Sequence, residues 1–365
     1  MEDAKPDSVS AALAAHIREA IAAAGGWVPF DRFMHAALYT PGLGYYARDS
    51  RQFGWLPQSG SDFVTAPELS PLFGRTLAAQ VRQGLEAAQA DEVWEFGAGS
   101  GALAEQLLDA LGERVRRYTI VDVSGALRAR QQQRLARFGD RVAWVDRLPD
   151  AMQGVIVGNE VLDAMPARLL AFDGSRWHER GVALHEGRFA FADVPTDERL
   201  PIDGPFGPGT VTEIHPQARA FVATLAERLT RGLALFIDYG FPEAEYYHPQ
   251  RSGGTLMCHR AHRADTNPLA DVGLKDITVH VDFTGIALAA QDAGMDVAGY
   301  TSQGRFLLNC GLAQMLEGAS PAERSAAQKL INEHEMGELF KVIALSRGIT
   351  IDPVGFAVGD RMHRL

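Results

Sequence analysis

Between Glu92 and Ala102 the chain reads Glu-Val-Trp-Glu-Phe-Gly-Ala-Gly-Ser-Gly-Ala, an apolar run that breaks into alternating glycines. Two nucleotide chemistries fit this spacing. As G-x-G-x-x-(G/A), ending at Ala102, it matches a loop that holds a dinucleotide pyrophosphate at a helix N-terminus. As E-x-G-x-G-x-G it also uses Glu95, two residues before Gly97. A carboxylate there repels a pyrophosphate but attracts the ammonium and sulfonium charges of S-adenosylmethionine, so the pattern favours that cofactor over NAD. Gly97, Gly99 and Gly101 permit close approach of the backbone. Asp122 closes the next apolar run, roughly twenty residues on, where a carboxylate meets the ribose hydroxyls in either class. Asp146, after 142–145, is spaced for the adenine amino group, and an ion pair with Arg147 accounts for it equally.

A second group of polar residues follows the fourth apolar run: Gly158-Asn159-Glu160-Val161-Leu162-Asp163-Ala164-Met165-Pro166. Asn159 suits a cofactor edge or an acceptor nitrogen, while Glu160 and Asp163 suit a cation or the removal of its proton. Asp163 is equally suited to capping a turn before Pro166. The segment is not the Asn-Pro-Pro-Tyr of enzymes that methylate adenine or glutamine amides. Tyr239, in Asp238-Tyr239-Gly240, belongs to the same expected pocket edge, or else only packs. His280 and Asp282 alternate in an extended run and share a face, as a proton relay or as a structural pair. His248, His259 and His262 lack Cys or carboxylate partners at ligand spacing, so no metal is expected.

These residues need a scaffold that delivers strand ends to one edge. Short apolar runs alternating with helical stretches predict an α/β, Rossmann-like parallel sheet with helices on both faces, and the closing helix–strand–helix–strand order suits a class I methyltransferase sheet. Strands are expected at 92–96, 117–122, 142–145, 154–158, 233–238, near 296–308 and at 339–345, the last two forming an antiparallel pair. Helices are expected at 9–24, 69–88, 101–110, 124–138 and 283–293. Residues 1–88 read as an N-terminal helical and loop lobe, in which Tyr45 and Tyr46 stack on a ligand or plug the core. Residues 89–365 read as the methyltransferase domain, with insertions at about 171–212 (a meander of short strands), 241–276 (a long loop) and 310–336 (helical).

Composition narrows the partners. The 365 residues carry 35 Lys and Arg against 46 Asp and Glu, a net charge of −11, the reverse of a nucleic-acid footprint. Neutral or cationic acceptors rank above polyanions. No apolar stretch reaches the roughly 18 to 20 residues of a membrane span, and the first ten residues are not those of a signal peptide. With two widely spaced cysteines, a cytoplasmic protein is expected.

Taken with their neighbours, these motifs resemble the MidA family. The matching text runs through Leu38-Tyr39-Thr40-Pro41 to Gly44-Tyr45-Tyr46, Asp62-Phe63-Val64-Thr65-Ala66-Pro67-Glu68 with Phe73-Gly74, the glycine motif, Asn159-Glu160 to Pro166, Ile237-Asp238-Tyr239-Gly240, and Asp276 to Phe283. The family includes a mitochondrial complex I assembly factor that methylates an arginine of a core subunit. The resemblance implies a class I fold, S-adenosylmethionine as donor and a protein arginine as acceptor, with a complex I core subunit as the candidate protein. It implies that Asp62, Thr65, Glu68 and Tyr239 face substrate, and that Glu160 and Asp163, helped by Glu68, Glu213 or Asp282, clamp the guanidinium. Ser61, Ala66 and Arg75 depart from the family's usual Gly, Ser and Glu. A small-molecule methyltransferase, a non-catalytic assembly factor and an NAD-dependent oxidoreductase are the alternatives.

Overall fold

The computed structural model describes residues 6–47, 65–122, 125–260 and 263–365. They divide into two compact units, one formed by the described residues within 64–162, 219–242 and 283–365, the other by those within 1–63, 163–218 and 243–282.

The first unit is built on a mixed sheet whose central strands are β1 (Glu92–Phe96), β2 (Arg117–Val121), β3 (Val142–Val145), β4 (Met152–Asn159), β5 (Leu229–Phe241), β6 (Asp296–Ser302) and β7 (Phe340–Arg347). Their order is β6-β7-β5-β4-β1-β2-β3. All neighbouring pairs from β5 to β3 are parallel, whereas β7 runs antiparallel to both β5 and β6. β4 and β5 are almost wholly apolar and buried because helices cover the sheet, leaving no solvated face that would impose alternation. The chain order reverses between β1 and β4, and the carboxyl ends of strands at such a switch point are where open α/β sheets bind ligands. Helix Pro71–Ala88 is started by Pro71 and by Ser70 Oγ, which accepts from Leu72 N at 3.2 Å. Leu72, Leu77, Val81 and Leu85 on that helix join Leu103, Leu107, Val155 and Leu235 in one core.

The second unit gathers what lies far apart along the chain. Helices Pro6–Ala23 and Phe30–Tyr39 pack their apolar stripes, Leu13, Ile17, Ile21 and then Phe30, Phe33, Met34, Leu38, against Leu169, Val182, Cys258 and Ile277. Its main sheet is antiparallel: Trp27–Pro29 pairs with Trp177–His185, which also pairs with Arg168–Phe172 and Arg188–Pro195. Arg168–Phe172 pairs in turn with Val211–Ile214. A small sheet joins Met257–Arg260 to Arg263–Asp265 and Asp276–Thr278.

Several expectations change. The lobe does not end at 88: residues 65–88 belong with the mixed sheet, and the segments 171–212 and 241–276, expected as insertions, join residues 6–47 in a unit of their own. The strand expected to reach 308 stops at Ser302, and Gln303–Asn309 is helical, with Gln303 and Phe306 buried. Helices Phe30–Tyr39 and Pro216–Arg228, and the small sheet, lay in stretches read as loops or left unassigned. Tyr45 is fully buried, a plug of the second unit's core.

Candidate active site

The carboxyl ends of β1, β2 and β4 and the loop after β1 form one cluster within the sheet unit. Gly97, Gly99 and Gly101 all have left-handed φ, at +62°, +52° and +83°, which L side chains rarely adopt. A Cβ at Gly97 would also press on Val161 Cγ2 at 2.9 Å. Gly101 caps helix Ala102–Leu111 with no side chain to bond the helix's first N–H groups, so that end is available to a ligand's polar atoms. Ser100 Oγ and Arg134 Nη1 both bond Glu68 Oε1, the latter at 3.0 Å, and Arg134 also reaches Ser100 at 2.6 Å. Glu68 thus fixes the glycine loop.

Glu95 is buried in the sheet. The parallel register sets it opposite Ile120, so Tyr118, two residues back, shares its face and donates to Glu95 Oε2 at 2.7 Å. Burial pushes the Glu95 carboxyl up to about 8; the Tyr118 bond opposes this and nearby Asp122 adds to it. Without a cation beside it, Glu95 is therefore largely protonated at neutral pH. Asp122 Oδ2 accepts from Gln131 Nε2 at 2.9 Å, and Asp146 is exposed after β3.

At the end of β4, Asn159 is buried, its Nδ2 donates to Glu160 Oε1 at 2.9 Å, and its Oδ1 has no hydrogen-bond partner. Glu160 has φ +54°, a left-handed conformation that costs a non-glycine residue of this kind roughly 1–2 kcal/mol. Asp238, buried at the end of β5, holds that turn: Oδ2 accepts from Val161 N at 3.1 Å and Leu162 N at 2.9 Å, and Oδ1 from Tyr239 N at 2.9 Å. Tyr239 sets its ring edge-on to Phe340, 5.2 Å between centroids. Asp238 had been placed at the pocket edge, at the end of a central strand, with no role of its own. Its signal was an acidic residue closing an apolar run beside a second such run.

In the other unit, Asp163 is buried and its carbonyl accepts from Val279 N at 3.0 Å, bringing it to the strand-end segment of His280 and Asp282. Tyr39 OH donates to Ala164 O at 3.0 Å, and Tyr46 OH to Asp276 Oδ1 at 2.8 Å. Burial, then Asp276, Tyr39 and Asp163, hold the Tyr46 phenol well above its ordinary range. Tyr39, Tyr46, Asp163 and Asp276 therefore form one acidic cluster, of which only Asp163 had been singled out for chemistry. His280 N donates to Thr255 Oγ1 at 3.0 Å, and Asp282 is buried. Glu213 is committed elsewhere: its carboxylate accepts from Thr255 N, Leu256 N and Tyr246 OH at 2.8, 2.9 and 3.0 Å, which makes it a tie for the 254–256 turn instead of a clamp for substrate. Thr65 is half-buried at the start of helix Ala66–Leu69; Asp62 and His262 lie outside the described residues. Among the described residues no three His, Cys, Asp or Glu side chains are grouped to hold a metal.

The left-handed glycine loop, the open helix end, Asp122 and the unpartnered Asn159 Oδ1 fit an adenosyl amino-acid ligand. A family model for S-adenosyl-L-methionine-dependent methyltransferases matches residues 72–301. The chain belongs to the MidA family of these enzymes. A protein from Burkholderia thailandensis described as a methyl transferase, crystallised with S-adenosyl-homocysteine bound, is 51% identical, covers 100% of this chain and 99% of its own, and superposes with a TM-score of 0.95. The mitochondrial protein arginine methyltransferase NDUFAF7 of Danio rerio is 25% identical, with 93% of this chain and 87% of that protein aligned. The NDUFAF7 homolog of Caenorhabditis elegans is 26% identical over 88% and 83%. As a MidA-family methyltransferase, this protein uses S-adenosylmethionine as its methyl donor.

Proposed function

We propose that this methyltransferase modifies an arginine side chain of a protein. The observation that carries the reading is Glu160, an acidic side chain held in a strained left-handed turn at the carboxyl end of β4, one residue beyond the buried Asn159. Strain of this kind is retained where a side chain has to point in one particular direction. A guanidinium keeps its proton far above neutral pH and is a poor nucleophile until charge is drawn off the attacking nitrogen. Carboxylates do this by accepting its N–H groups in pairs and localising the positive charge on the nitrogens that do not react. Glu160 has the charge and geometry for that task, and Asn159 steadies it through the Nδ2 bond. Gly97, Gly99, Gly101, Glu95 and Asp122 would hold S-adenosylmethionine, which when bound supplies the electrophilic methyl group. The names of the curated relatives, protein arginine methyltransferases, support the same acceptor. Complex I core subunits are the first acceptors to try.

The test is methyl transfer from labelled S-adenosylmethionine to candidate subunits, followed by hydrolysis and chromatography for methylarginine. Glu160→Gln should lower the transfer rate at least tenfold, about 1.4 kcal/mol of barrier, while S-adenosylhomocysteine affinity stays within about threefold. Label recovered on any residue other than arginine, or an unchanged rate in the variant, would sink the reading.

A further inference from the structure

We propose that Gln131 is the positioning residue that sets the Asp122 carboxylate for the ribose hydroxyls, and that Trp144 in turn sets Gln131. The side chain of Gln131 is fully buried in helix Gly125–Leu135 and makes three hydrogen bonds. Its Nε2 donates to Gly99 O at 2.9 Å and to Asp122 Oδ2 at 2.9 Å, and its Oε1 accepts from Trp144 Nε1 at 3.0 Å.

The polarity of every partner is fixed. An indole N–H only donates, a peptide carbonyl only accepts, and an ionised carboxylate only accepts. The amide therefore has one orientation, with its oxygen toward Trp144 and both N–H groups toward the glycine loop and Asp122. A flipped amide would set its oxygen against two acceptors and its nitrogen against a donor, which a fully buried site does not tolerate. Trp144 lies on β3 and Asp122 follows β2, while Gly99 belongs to the loop after β1. One side chain thus ties the ends of three adjacent parallel strands. Asp122 takes a charge-assisted bond that fixes the plane of its carboxylate before any ligand arrives, and the loop carbonyl is held by the same nitrogen. A residue that stabilised only the fold would not need to bond both of the elements that meet the cofactor.

The role makes a prediction that a merely structural residue would not. Removing the amide should uncouple the protein from the ribose hydroxyls in particular. The probes are S-adenosylhomocysteine and its 2′-deoxy analogue, titrated by calorimetry into the intact protein, with the ligand-free melting temperature recorded alongside. The unmodified chain should prefer the hydroxylated ligand by tenfold or more. In Gln131→Met, which fills the space without donors, the preference should fall to within about threefold, with most of the loss on S-adenosylhomocysteine. Trp144→Phe keeps the amide but removes the group that orients it, and should give an intermediate preference; it also carries the test if the Met variant does not fold. A preference that survives undiminished in these variants, or an equal loss for both ligands, overturns the role of Gln131 while leaving the Asp122 contact standing. Absence of any preference in the unmodified chain overturns the Asp122 contact and Gln131's role together, and S-adenosylhomocysteine binding in that same titration still reports on the cofactor itself.

Discussion

Glu95 is charged in the expected ligand complex but mostly neutral without one, and that difference is measurable. Its folded value of about 8 lies above the ordinary carboxyl value of 4.5, so the folded state holds a proton that the unfolded chain has released across that interval. The stability this contributes is complete below the unfolded value and is lost as pH rises through about 8, on the order of a few kcal/mol in all. The ligand-free melting temperature should therefore fall between pH 5 and pH 8. Glu213, also raised by burial, pushes the same way, so the contribution of Glu95 is the difference from Glu95→Gln, whose profile should be flatter. Binding of the cationic donor at pH 7 should release about one proton, read from calorimetry in two buffers of different ionisation enthalpy; no release would show that the carboxyl stays protonated beside the cofactor. The spacing of Glu95, the glycines and Asp122 was legible because each sits at a fixed offset from a strand end. Gln131 was not. It is one of three consecutive glutamines, and only the fold shows which of them turns inward.

The strand ends position the chemistry, and Asp238 is the clearest instance. Its carboxylate takes the backbone N–H groups of Val161 and Leu162 and so supports the turn in which Glu160 is strained. Asp238→Ala leaves those donors without their acceptor, at about 1–3 kcal/mol for each buried group. Urea denaturation should show a loss of roughly 3 kcal/mol, with Asp238→Asn, which keeps one acceptor oxygen, losing less. A loss below about 1 kcal/mol in the Ala variant would mean that the turn is held by other contacts. Most of the sheet was readable because β1, β4 and β5 are continuous apolar runs of strand length. The errors came where the local pattern served two structures. Residues 303–308 are apolar enough to continue β6, yet the chain turns helical there and buries Phe306 and Leu307 in the core. Phe30–Tyr39 has apolar residues at helical spacing, but its aromatics, set between Pro29 and Pro41, read more easily as a loop-rich lobe.

At the level of the whole chain, the second unit is a mosaic. Trp27–Pro29 pairs with Gly181–Ala183, and the core sets Leu13 and Phe33 with Leu169 and Ile277. Local periodicity says nothing about such distant pairings, which is why contiguous domains of 1–88 and 89–365 were expected. Deleting residues 1–63 should remove most of that core and abolish amide protection in Arg168–Phe172, Trp177–His185 and Asp276–Thr278, while β1, β4 and β5, whose partners all lie elsewhere, stay protected in hydrogen exchange. Protection retained at 168–185 would mean that this sheet stands without its N-terminal strand and helices. The mosaic also bears on how the molecule is made. Helix Pro6–Ala23 leaves the ribosome long before the strands that cover Leu13, Ile17 and Ile21, with residues 64–162 of the other unit synthesised in between. At about 5–20 residues per second, an uncovered apolar stripe waits roughly 7–30 s for its partners, an interval in which a chaperone has reason to hold it.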